Sequence, residues 1–373
     1  MATEEKVHRY PCPTCGAGLV FDPKKGGLAC GYCGYTEQIF VEKDTTIEER
    51  PLEEYLQPAA GRMQTLATDA LEVKCTSCGA SVTFVPPETA RNCDFCGAQI
   101  VAQPKAADPL VAPEGVLPFA IDKKQAAANV KQWIASRWFA PSALKQFAEH
   151  DKIHGIYLPY WTYDAYTVSD YTGERGNHYY ETEYYTETDS NGNQVQQSRQ
   201  VQKTSWSYAS GRVDRWFDDI LIPASKSLPE KRLNALAPWD LPELKPYEPA
   251  FLSGFRAQRY QVELPEGFEA AKQIAARQIE SDARHDIGGD EQRVHNINTN
   301  YSSVTFKHLL LPVYAGAYQL SGKTYQVVVN GRNGQVQGDR PYSWVKIGCL
   351  IAAVIGVILF FVMIAAIFSA ASN

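Results

Sequence analysis

The sequence predicts an α+β chain: two small cysteine-rich ribbons at the N-terminus, a central and C-terminal antiparallel α+β domain, and one C-terminal transmembrane helix. Three observations predict it. A four-cysteine motif with the spacing C-x2-C-x14-C-x2-C occurs twice before residue 100. Between about 110 and 340, helical stripes alternate with runs rich in aromatic and β-branched residues. From 347 to 368 there are 22 residues without a charge, about 33 Å as a helix.

The ribbons come first. Cys12/Cys15 are set to meet Cys30/Cys33, and Cys75/Cys78 to meet Cys93/Cys96. Two C-x-x-C turns each offer two sulfurs to one side of an ion, which is what a tetrahedral zinc site needs. The second cysteine of every turn is followed by glycine (Gly16, Gly34, Gly79, Gly97), which permits the left-handed backbone that aims amides back at the sulfurs. The segments between the turns read as short hairpins. Units this small bury little apolar surface, so two structural Zn2+ ions would replace the missing cores. Iron in the same turns and disulfides are the competing readings of these cysteines. Four-thiolate zinc has no open coordination position, so its expected role is structural.

Charge narrows the partners. The 373-residue chain carries a formal charge of −6, and residues 1–105 hold 10 Lys and Arg against 14 Asp and Glu. That balance disfavours a phosphate backbone as partner and favours protein docking. The domain limits follow: ribbon one over 1–45, an acidic linker over 46–70, ribbon two over 71–105, the α+β domain over 110–340 and a tail anchor over 344–369.

Within the α+β domain, Ala127, Val130, Ile134 and Trp138 share one helical stripe, with Asp122 as N-cap and Gln125 three residues on. Pro141 closes that helix, and a shorter helical stretch follows in "SALKQFAEH". "HGIYLPYWTYDAYTVSDYTG" then has strand composition. The flanks of Ser190-Asn191-Gly192-Asn193 alternate as a polar hairpin near 178–208 that projects from the domain. Phe268, Ala271, Ala275 and Ile279 mark a second helix, and the remainder reads as antiparallel strands turning at Ser321-Gly322 and near 331–334. The aromatics Tyr157, Tyr160, Trp161, Tyr163 and Tyr166 read as core and rim packing, because no basic groove accompanies them as a base-stacking surface would require.

Enzymatic motifs are incomplete. "AYQLSGKT" has Ala317 where a phosphate loop needs its first glycine, and "HDKIH" from His150 to His154 has Asp151 where a metallopeptidase needs glutamate. The sequence therefore predicts no catalytic residues and no enzyme. In the uncharged tail, Arg332, Arg340 and Lys346 precede the run and no Lys or Arg follows it. By the positive-inside rule this predicts a single-pass protein of the cell (inner) membrane with its N-terminal domains cytoplasmic.

The order of these parts carries a resemblance. Twin CxxCG turns, "GIYLPYWTYDAYTVSDYTGERG", "FDDILIPASKSL", "LKPYEPAFLSGFRAQRY", "LLLPVYAGAY", "GKTYQVVVNGRNGQVQGDRPYSW" and the apolar tail resemble a bacterial family of membrane-anchored, TFIIB-type zinc-ribbon proteins, often labelled primosomal-helicase-like. Helicase motifs and the cyclin-like repeats of TFIIB are absent from the sequence. The resemblance implies the eight cysteines as metal positions. It also implies, from the neighbours of some relatives, protein partners of the PspA or SPFH type in envelope stress. The resulting expectation is a membrane-anchored zinc adaptor that recruits proteins. The alternative is a membrane-tethered nucleic-acid-binding zinc-ribbon protein.

Overall fold

The computed structural model describes residues 10–41, 47–56, 71–75, 81–84, 90–93, 95, 98–101, 111–136, 153–188, 193–320, 323–339 and 344–371. Ribbon one contains β1 (Leu19–Asp22), β2 (Gly27–Cys30) and β3 (Thr36–Glu37), paired in that order. Next come β4 (Arg50–Pro51) and α1 (Leu52–Leu56). Ribbon two supplies two strand pairs, β5 (Leu71–Lys74) with β6 (Ser81–Phe84), and β7 (Ala90–Asn92) with β8 (Gln99–Val101). The remainder comprises β9 (Gly115–Val116), α2 (Lys123–Ala135), β10 (Ile153–Thr188), β11 (Gln194–Pro223), α3 (Glu230–Asn234), β12 (Lys245–Pro246), β13 (Arg256–Ala257), α4 (Leu264–Ile287), β14 (Glu291–Leu320), β15 (Lys323–Asn330), β16 (Val336–Gly338) and α5 (Trp344–Ala371).

The architecture corrects the expected fold class. The protein is mostly antiparallel sheet, built on a nine-stranded sheet whose main order is β11-β10-β14-β15-β16, rather than an α+β domain between ribbons and a membrane helix. Its frame is three strands of 36, 30 and 30 residues. At about 3.3 Å per residue, β10 alone runs on the order of 120 Å. The strands reach this length because irregularities are absorbed as bulges instead of ending them. Register slips at Tyr163/Ala165 against β11, and at Asp164/Tyr166 and Thr172/Gly173 against β14. At Gly173 a side chain would collide with the Arg293 carbonyl oxygen, so the bulge there needs glycine.

The transmembrane expectation is corrected as well. Among the described residues no helix is long and apolar enough to cross a membrane. The uncharged run read as a membrane span falls in α5 (Trp344–Ala371). The single-pass inner-membrane localisation, which rested on that segment alone, loses its support.

Alternation along β10 decides where the ribbons sit, because successive side chains point to opposite faces. Ile153 and Tyr157 join Leu310, Tyr314, Val327 and Val329 in a core shared with Cys12, Leu19, Phe21, Leu28 and Cys30 of ribbon one, capped by Val130 and Ile134 of α2. Ile156, Leu158 and Tyr160, one residue out of phase, join Leu309, Leu311, Val313 and Val328 in a core shared with Cys75, Cys93 and Phe95 of ribbon two. The two ribbons therefore hold opposite faces of the sheet base. Further along, Trp161 and Tyr163 pack with Phe306, Leu52 of α1, and Leu264 and Ala271 of α4. Beyond Gly176, where pairing with β14 ends at Glu291, β10 and β11 continue alone as a two-stranded hairpin to Thr188↔Gln194.

The helices have local causes. Asp122 caps α2 by accepting from the Gln125 amide at 2.7 Å, and Ala126, Ala127, Val130 and Ile134 are its buried stripe. Trp138 lies outside the described residues. The α4 stripe is Leu264, Gly267, Ala271, Ala275, Ile279, Ala283 and Ile287, a period of three to four residues laid over β11 and β10.

Candidate metal centre

Cys12, Cys15, Cys30 and Cys33 form a cluster in which all four sulfurs lie within 4.8 Å of one another. Cys12 Sγ is 3.5 Å from Cys33 Sγ, and Cys15 Sγ is 3.5 Å from Cys30 Sγ. A tetrahedron of thiolates at about 2.3 Å from a central ion has edges of about 3.8 Å. The cluster is close to that shape, and none of the four thiols is in a disulfide.

Each pair sits on a knuckle with the same hydrogen bonds. The Cys12 amide donates to Ala17 O at 2.6 Å and the Gly16 amide to Cys12 O at 2.8 Å. In the second knuckle the Cys30 amide donates to Tyr35 O at 2.8 Å and the Gly34 amide to Cys30 O at 3.2 Å. Gly16 and Gly34 have φ of 75° and 78°, the left-handed turn that a side chain would strain. Cys12 and Cys30 face inward and are buried, whereas Cys15 and Cys33 face solvent.

The thiol electrostatics divide within each knuckle. Burial raises the Cys12 pKa, but the amides of Cys15 and Thr14 outweigh it and bring it below the ordinary value. The amides of Cys33 and Tyr32 bring Cys30 to about 6 against its burial. The other two move the opposite way. Although the Ala17 amide lowers Cys15, its charge is penalised by the Cys30, Cys33 and Cys12 sulfurs and by burial, and it is pushed up to about 12. Cys33 is likewise raised, despite the Tyr35 amide, chiefly by Cys12 and burial. Four neighbouring thiols cannot all ionise unaided, and a divalent cation at their centre would supply the missing charge. The donor set of four sulfurs, each with at least one backbone amide aimed at it, fits a structural metal.

In ribbon two, Cys75 and Cys93 are buried, and the Cys93 amide donates to Ala98 O at 2.7 Å, the same five-residue closure as in ribbon one. Cys78 and Cys96 lie outside the described residues. The structure thus brings together one complete set of predicted ligands, with half of the other set buried against the sheet.

The remaining sequence motifs fall apart on the fold. His154 is an exposed residue of β10, and His150 lies outside the described residues. Lys323 begins β15 and pairs with Leu320 of β14 in an antiparallel hairpin, not in a strand-to-helix phosphate loop.

Two buried charged groups have no sequence signature. At the double bulge, Lys307 Nζ lies 2.7 Å from Asp219 Oδ1, 3.1 Å from Glu49 Oε1 and 3.5 Å from Asp164 Oδ2. Asp164, Asp218 and Asp219 also have metal-like proximity, but the Lys307 ammonium already supplies positive charge to Asp164 and Asp219.

The second group is His308 with Glu114. His308 is buried between Trp161 and Tyr260, and its Nδ1 donates to Val111 O at 2.9 Å. Burial lowers its pKa to about 4. Glu114 accepts the His308 amide and lies 2.8 Å from Arg50 Nη2, yet burial raises it to about 7. The two act on stability with opposite signs. A depressed histidine contributes above its ordinary 6.5 and loses that contribution as pH falls toward 4. A raised carboxyl contributes below its ordinary 4.5 and loses that contribution as pH rises through about 7. Glu114→Gln removes the opposing partner. It is expected to steepen the loss of stability between pH 6.5 and 4.5 by about 2 kcal/mol relative to the parent, read by urea unfolding at a series of pH values. Parallel pH profiles would show that Glu114 titrates normally in the fold.

Comparison with known proteins gives one sequence likeness to report. The chain is similar to the uncharacterized protein YdjG of Bacillus subtilis (strain 168), with 26% identity over 353 residues that cover 93% of this chain and 94% of that protein. No protein-family description matches the sequence, and no solved structure matches the chain.

Proposed function

We propose that the chain is a zinc-binding adaptor: Cys12, Cys15, Cys30 and Cys33 hold one structural Zn2+, their repeats Cys75, Cys78, Cys93 and Cys96 hold a second, and the metal-braced surfaces dock other proteins. The observation that carries this reading is the closed four-sulfur cluster with Tyr32, 89% exposed, inside its second knuckle. Four thiolates leave no coordination position for a substrate, so the metal supports a surface and does no chemistry. Phe40, also 89% exposed, follows β3 on the same ribbon. Exposed aromatic side chains are the usual energetic anchors of protein interfaces. The acidic balance of residues 1–105 favours a protein over a nucleic acid at this surface.

The test is metal analysis followed by affinity capture with nuclease treatment. The parent is expected to contain two zinc equivalents per chain. Tyr32→Ala with Phe40→Ala is expected to leave both in place while captured partner protein falls tenfold or more. Captured material that disappears with nuclease would assign the ribbon to nucleic acid and overturn the adaptor reading.

A further inference from the structure

The strand β11 is the outer edge of the large sheet, and among the described residues no strand pairs with its free side. A bare edge of this length is a template for another strand, and proteins blunt such edges with proline, bulges or a covering element. Here the only proline of β11 is its last residue, Pro223, and the register slip lies near Asp219, whose φ is 51°. The stretch 208–218 between the hairpin and that bulge is regular.

We propose that this stretch pairs with its own copy, antiparallel about a two-fold axis through Val213, to make a dimer with one continuous sheet. This proposal is independent of the metal reading. A two-fold axis perpendicular to the sheet must set residues of the same face opposite each other, so allowed registers differ by two residues. Even-numbered positions of β11 from 208 to 218 are exposed and form the face away from α4. Centring on Val213 places Arg212 opposite the partner's Asp214 and, by symmetry, Asp214 opposite the partner's Arg212. The neighbouring registers place Arg212 on Arg212 or Asp214 on Asp214, which like charges directly opposite penalise.

Side-chain size selects the same centre. Trp216, 52% exposed, falls opposite Ser210, Phe217 opposite Ala209, and Arg215 opposite Gly211. Each bulky residue meets a small one across the new ladder. Arg212 already holds Asp170 on β10 at 2.7 Å, and Asp214 accepts from Tyr166 at 3.1 Å, so both charges are oriented within their own chain before pairing.

The experiment uses the full chain and light scattering after size exclusion over a concentration series. The parent is expected to be a dimer. Arg212→Asp puts four acids across the two-fold axis and Asp214→Arg puts four bases there, so each alone is expected to weaken dimerisation tenfold or more. An equimolar mixture of the two variants restores both opposite-charge pairs and is expected to form the heterodimer. Both positions are exposed, so circular dichroism should show the parent fold in each. A monomeric parent, variants that dimerise like the parent, or a mixture that stays monomeric would each overturn the proposal.

Discussion

Cys12→Ser is expected to cost the chain one zinc equivalent and on the order of 5 kcal/mol of stability, a large share of what a domain has. The loss should not stay within the ribbon. Cys12 and Cys30 belong to the core that contains Val327 and Val329 of β15 and Ile134 of α2. The ribbon is also stitched to the segment after the Pro249–Leu252 turn: Phe21 N donates to Ser253 O at 2.9 Å, and Ser253 Oγ donates to Leu19 O at 2.7 Å. Removing the ion leaves raised and lowered thiols crowded together with one face against this apolar core. Amide exchange is the readout, compared between the parent, Cys12→Ser and the parent titrated with a chelator. Protection of β15 is expected to fall with metal content in both series. If β15 stays protected after the ribbon has lost its ion, the ribbon folds independently of the sheet and no such coupling exists. The chelator series keeps the test open even where the variant does not accumulate.

The clustering of Cys12, Cys15, Cys30 and Cys33 was legible because spacing fixes it: two C-x-x-C turns, each followed by glycine, specify a local geometry that owes little to the rest of the chain. Asp122 with Gln125, and the stripe from Ala127 to Ile134, were legible for the same reason, since a cap and a helical period act within a few residues. The long strands were not. The run from His154 to Gly173 had strand composition, but nothing in it marked the bulges at Asp164 and Gly173 through which the structure carries β10, because neighbours on both sides supply the hydrogen bonds. Nor could the placement of the ribbons be read, since it depends on the phase of Ile156 against Tyr157 and on which face each ribbon's buried cysteines reach. The uncharged tail misled in the opposite direction: composition alone predicted a membrane span, whereas no described helix has the required length and apolarity.

Lys307→Met is expected to destabilise the fold by about 3 to 5 kcal/mol, the usual cost of removing one partner from a buried ionic group. The side chain is 10% exposed, and that of Asp164 is 1% exposed. Burial works against the Lys307 charge, but Asp219, Asp164 and Glu49 outweigh it and hold the ammonium protonated. Burial also raises Asp164, against the Asp219 amide and Lys307, which lower it. Methionine keeps the length and apolar stem of lysine, so the variant tests charge more than packing. Without the ammonium, Asp164, Asp219 and Glu49 face one another where three long strands change register, and the bulge that places the Asp219 amide on Asp164 Oδ1 loses its counter-charge. The remaining stability should then recover as pH falls, because protonating Asp164 relieves the repulsion. Urea unfolding of parent and variant at neutral and mildly acidic pH measures both effects. A neutral-pH cost below 1 kcal/mol, or one that does not shrink on acidification, would show that the three carboxylates are relieved by solvent and that Lys307 is not what holds the double bulge.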